Sequence, residues 1–169
     1  MKNPTKKEKN LTEKNRKRLL AFLGAAHSLN HSLFLVTPPL LLIIIQDLKT
    51  SQGALGLIGF LSSLIYGFGS LVGGPLSDKI NEIKIITICL ALAGASTFIF
   101  IFASNLFIYT LALLLMAAWA SLYHPTANSL ISKEFHVQMA EAMGIHGMGG
   151  TLGIILTPVI AFSVGITFG

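Results

Sequence analysis

Charge is what this sequence has least of. Charged residues fill 11% of its 169 positions, against about 25% in an ordinary soluble domain. A water-facing fold of this length has too little charge to cover its surface, whereas a chain solvated by lipid tails needs apolar groups outside as well as inside. Cysteine occurs once, at Cys89 within an apolar run, which excludes an intrachain disulfide and leaves a small packing residue. There is no phosphate-binding loop, nucleophile elbow or dense metal-ligand motif. Neither an enzyme nor a bound cofactor is therefore expected.

Apolar residues are abundant, at 53%, and mean hydropathy is +0.72. Five apolar stretches, at 19–45, 55–76, 83–103, 106–131 and 142–168, each approach the ~20 residues that span a hydrocarbon core. Lipid offers no partner for backbone N–H and C=O groups, so each stretch must close its hydrogen bonds within itself as a helix. Short alternating strands, the mark of a barrel, are missing. The expected fold class is all-α, a polytopic bundle of five transmembrane helices, with residues 1–18 as a basic tail and 19–169 as the membrane domain.

The net charge of +5 is concentrated at one end. Eight of the twelve basic residues, Lys2, Lys6, Lys7, Lys9, Lys14, Arg16, Lys17 and Arg18, precede the first apolar run. This polar, aromatic-poor tail is expected to lack fixed structure, and nucleic acid is not expected as a partner. The apolar run behind it is too long for a secretory signal. Lys79, Lys84 and Lys133 fall in the second and fourth connections, and Lys49 alone in the first. The positive-inside rule then places the N-terminus and the connections at 77–84 and 132–141 in the cytoplasm of a multi-pass cell-membrane protein. Thr50 or Ser51 is the expected N-cap of the second helix, and Ser104 or Asn105 that of the fourth. The chain stops at Gly169 straight after an apolar run, without an interfacial anchor, so it reads as interrupted.

No Asp, Glu, Lys or Arg lies deep in any span, which leaves histidine as the titratable residue of the membrane interior. His27, Asn30 and His31 stand at i, i+3 and i+4 and share a helix face, which should turn away from lipid. They contact substrate or couple protons on one reading, and pack as neutral hydrogen-bonded groups on the other. His124, Asn128 and His146 are the further candidates for substrate or proton coupling. Metal binding by this histidine set is a further alternative, but four ligands spread over three helices is weak evidence, and no metal site is expected. Pro125 frees a carbonyl one turn earlier and should open the fourth helix near His124, with Tyr123 as cavity wall or interface anchor; Trp119 is a packing or cavity-wall residue. Pro38 and Pro39 should bend the first helix, ahead of Asp47 at its outer end, and Pro158 the fifth. Gly144, Gly147, Gly149, Gly150 and Gly153 permit close backbone approach, as a gating surface or as plain small-residue packing. The same choice applies to the glycines from Gly53 to Gly74 on the second helix.

Gly74, Leu76, Ser77, Asp78 and Lys79 have the spacing of a known loop: a glycine, a leucine two on, a small residue, an aspartate and a basic residue. This resembles the signature between helices two and three of the major facilitator superfamily, departing from it at Asn81, Glu82 and Ile83. Tyr123-His124-Pro125, the segment from Ala142 to Gly153, and His27 with Asn30 and His31 are similar to the fosmidomycin-resistance branch. The resemblance implies two six-helix halves with substrate held between them, of which this chain would supply helices one to five. It further implies transport of a small solute by alternating access, as drug efflux in that branch, with Gly74, Asp78 and Lys79 as a conformational latch. Asp78 can also meet the positive N-terminal end of a neighbouring helix. Gly147, Gly149, Gly150, Gly153 and Pro158 are the packing and gating candidates. The expected partners are the lipid bilayer, a small-molecule substrate with the proton as coupling ion, and a missing C-terminal half or second chain. The alternative is a non-transporting membrane module or relic that packs against another membrane chain.

Overall fold

The computed structural model describes residues 12–168, and among these it holds helices, turns and no strand. Seven α-helices follow one another: α1 (Glu13–Leu35), α2 (Leu41–Asp47), α3 (Gln52–Ser77), α4 (Glu82–Thr97), α5 (Leu106–Ala120), α6 (Tyr123–Glu134) and α7 (Met139–Phe168). Short 3₁₀ turns at Pro38–Leu40 and Phe98–Phe102 join or extend them, giving five segments long and apolar enough to cross a membrane. The fold is an all-α polytopic bundle.

Local chemistry explains the boundaries. Ser51 caps α3 by accepting from the Ala54 N–H, and Asn105 caps α5 by accepting from that of Ile108, each satisfying a first-turn donor. Pro38 and Pro39 convert the outer end of the first span into a 3₁₀ turn before α2 resumes. The fourth span opens at Ser121–Leu122, just ahead of His124. Pro125 has no N–H to give the Ser121 carbonyl, so the helix lapses there and restarts as α6. α7 runs through Pro158 as one helix, and Thr157 there donates from its hydroxyl to Ser32 Oγ at 2.7 Å.

One expectation is corrected. Residues Glu13 to Arg18 belong to α1 and not to an unstructured tail, because the Thr12 side chain accepts from the Asn15 N–H and Glu13 favours the first turn. The rest of the basic tail lies outside the described residues.

Packing concentrates where small residues allow it. α1 lies chiefly against α7, while α4 packs on α5 and α6, and α3 on the same two helices from the other side. Two apolar clusters result, one around Leu23, Ile86, Cys89, Tyr123 and Ile131, the other around Leu33, Ile58, Ala93, Leu113 and Met116. At one end of the bundle, Lys133 donates to Glu82 Oε1 at 2.6 Å and to the Ser77 carbonyl at 3.4 Å, while Arg16 reaches Gln138 Oε1 at 3.4 Å. The start of α1 and the second and fourth connections therefore share that end, as antiparallel neighbours joined by tight links must.

Candidate functional site

Between the two apolar clusters lies a polar layer. On α1, His27 and Asn30 fall between Leu23 and Leu33; on the fourth span, His124 falls between Ala120 and Ala127. Helical periodicity turns His27, Asn30 and His31 to one side, and the fold fills that side with α3, α6 and α7. Asn30 is fully buried and donates from Nδ2 to the Tyr66 hydroxyl on α3 at 2.8 Å. Tyr123 donates its hydroxyl to the Leu23 carbonyl at 2.9 Å, which fastens the start of α6 to α1.

Four histidines from three helices converge here. The His27 ring stacks on that of His146, centroids 4.0 Å apart and planes 14° from parallel. It meets His124 edge-on at 4.9 Å and tilts against His31 at 4.7 Å. His27 Nδ1 lies 2.8 Å from the backbone carbonyl of His146, and its Nε2 lies 3.0 Å from His31 Nε2. A carbonyl only accepts, so His27 carries its proton on Nδ1; a neutral His27 then presents a bare Nε2 lone pair, to which His31 donates from Nε2. Hydrogen-bond accounting thus assigns both tautomers. His146, 3% exposed, keeps Nδ1 without a partner among the described residues, and so does the Oδ1 of Asn30. A cavity of about 390 Å³ opens onto this layer, with His31, Phe34, Ser63, Tyr66, His124 and Ile154 on its wall.

Glycine makes the convergence possible. A side chain at Gly150 would collide with the His27 ring, and one at Gly149 or Gly153 with the backbone of Gly24 or Ser28. On α3, Gly69 and Gly73 leave the room taken by Ser121 and Pro125, so the opened fourth span is pressed against α3.

Other candidates stand apart. Asn128 is exposed and outside the layer. Gly147 faces open space, because α7 presents Ala142, His146, Gly149, Gly150 and Gly153 to the bundle and Gly147 lies off that stripe. A side chain at Gly74 would likewise meet nothing, while one at the neighbouring Gly73 would meet Pro125. Asp78 forms the C-terminal cap of α3, exposed with Lys79, and its carboxylate meets no helix N-terminus among the described residues. Sequence reasoning missed Tyr66, whose pairing with Asn30 spans 36 positions, and the Glu82–Lys133 ion pair. Glu82 registered only as a departure from a motif.

No curated protein and no solved structure matches the chain. The family model described as Major Facilitator Superfamily matches residues 20–169, the whole membrane part from the middle of α1 onward. This chain, with its five membrane-crossing segments, belongs to the major facilitator superfamily, a family of membrane transporters.

Proposed function

We propose that the chain moves a small solute across the membrane by alternating access, with His27, Asn30, His31, Tyr66, His124 and His146 as the substrate-binding wall. The observation that carries this reading is the convergence of these polar groups, three buried and three half-buried, from four helices into one layer beside a 390 Å³ cavity. Polar side chains are costly at membrane depth and are retained where they face a substrate path. The similarity of Tyr123-His124-Pro125 and the Ala142–Gly153 segment to the fosmidomycin-resistance branch supports efflux as the direction. Lysine placement supports a cytoplasmic N-terminus in the cell membrane. In this reading further helices, from a C-terminal half or a second chain, supply the facing wall, and the histidines are also the proton-coupling candidates.

Cysteine accessibility tests it without knowledge of the solute. In a Cys89→Ser background, cysteine placed at Ser63 or Ile154 on the cavity wall should react with a membrane-impermeant maleimide added to either side of sealed vesicles. Labelling from one side only would leave the chain a static module that packs against another membrane protein.

A further inference from the structure

The histidine layer has the composition of a metal site as well as of a polar wall. His27, His124 and His146 each offer a ring nitrogen, and these atoms lie within 4.8 Å of one another. Three nitrogens at 2.0–2.1 Å from a tetrahedral ion stand about 3.3 Å apart, so the set closes on an ion when the His146 ring turns out of its stack on His27. His31 stands outside that trio; its Nε2, 3.0 Å from His27 Nε2 and donating to it, joins as a fourth ligand once that proton moves to His31 Nδ1.

We propose that His27, His31, His124 and His146 bind a first-row transition-metal dication of the Zn²⁺, Co²⁺ and Ni²⁺ class, and that this cation is the transported solute. The cargo statement rests on the transport reading above; the binding statement rests on the geometry. Three observations point to a ligand. His27 spends its Nδ1 proton on the His146 carbonyl and presents Nε2, the arrangement by which a backbone carbonyl fixes the tautomer of a metal-bound imidazole. His146 Nδ1 is buried and has no hydrogen-bond partner among the described residues. His124 makes no hydrogen bond among the described residues and lines the cavity, which supplies a route for the ion.

The donor chemistry sets the class. Imidazole nitrogens suit Zn²⁺, Cu²⁺, Ni²⁺ and Co²⁺, whereas Mg²⁺ and Ca²⁺ require oxygen ligands. The four rings bring neither thiolate nor carboxylate, so the ion keeps its charge within the layer. Gly150 is the structural precondition, since any larger residue there would displace the His27 ring.

The test uses the whole chain, purified in detergent without a polyhistidine tag, and Co²⁺ alone as the probe. One equivalent of Co²⁺ should give the visible d–d absorption of a tetrahedral nitrogen site, and Zn²⁺ should abolish it by displacement. His124→Gln and His146→Gln should each weaken binding at least 10-fold, on the order of the loss seen when a metal site is perturbed. His136→Gln, at an exposed position, should leave binding unchanged. If His146→Gln does not fold, judged by loss of monodispersity, His124→Gln and the wild-type spectrum carry the result. Absence of the band, or its loss in His136→Gln alone, overturns the site. Two-sided cysteine labelling without Co²⁺ binding overturns the metal and leaves transport standing; Co²⁺ binding with one-sided labelling overturns the cargo role and keeps the site.

Discussion

Lys133 reaches from the end of α6 to Glu82 at the start of α4, Nζ to Oε1 at 2.6 Å, with the carboxylate side chain 10% exposed and the lysine 50% exposed. The two ends of this pair are therefore unequal. Removing the lysine leaves a shielded carboxylate without a counter-charge, whereas removing the carboxylate frees a lysine that water already reaches. Lys133→Met should lower the thermal midpoint in detergent more than Glu82→Gln, and the double variant should match Glu82→Gln alone. Equal single-variant losses would show that the pair is solvated.

Asp78 belongs to a different kind of interaction. Its carboxylate is exposed and forms no hydrogen bond or salt bridge among the described residues, acting on Lys133 only through space, so Asp78→Asn should leave insertion and thermal midpoint unchanged. If the residue is a latch, the balance of labelling at a cavity cysteine from the two sides of the membrane should shift several-fold. An unshifted balance would remove that role from Asp78.

The glycines divide into two sets with opposite outcomes. Gly149→Leu and Gly153→Val place a side chain against the α1 backbone, and Gly73→Ala places one against the Pro125 ring. Each should cost about 1–3 kcal/mol, the usual range for overpacking. Gly147→Ala and Gly74→Ala point into open space and should be neutral, or stabilising by up to about 1 kcal/mol through helix propensity. Unfolding in a denaturing-detergent titration would separate the two groups.

Tyr66→Phe deletes the acceptor for the Asn30 amide, in a side chain whose Oδ1 is already unpaired and which is fully buried. The expected loss is about 1–2 kcal/mol, the range of a stranded buried donor tempered by the modest strength of hydrogen bonds within membranes. Asn30→Leu in the Tyr66→Phe background should recover part of it, because both members of the pair are then apolar.

These residues also mark how far the sequence could be read. Five membrane helices followed from apolar length, and the cap sites, narrowed to Thr50 or Ser51 and to Ser104 or Asn105, from side-chain oxygens, because both depend on neighbours in the chain; the structure selects Ser51 and Asn105. The helical turn from Glu13 to Arg18 was hidden by its charge, which resembled that of a solvated tail, although Thr12 supplies the capping oxygen. On α1, the spacing of His27, Asn30 and His31 disclosed a shared face. That His124 and His146 would meet that face depends on the register of α1 against α7 and on the opening at Ser121–Leu122, neither of which is a local property. The motif spacing drew attention to Gly74, while packing selected Gly73, one position away and about 100° around the helix.

The seating of Gly149 and Gly153 on the main chain of Gly24 and Ser28 has a mechanical consequence. With backbone resting on backbone, no rotamer change can relieve or loosen this contact between α1 and α7. The seam between α1 and α3 is instead spanned at this depth by a side-chain hydrogen bond, from Asn30 to Tyr66.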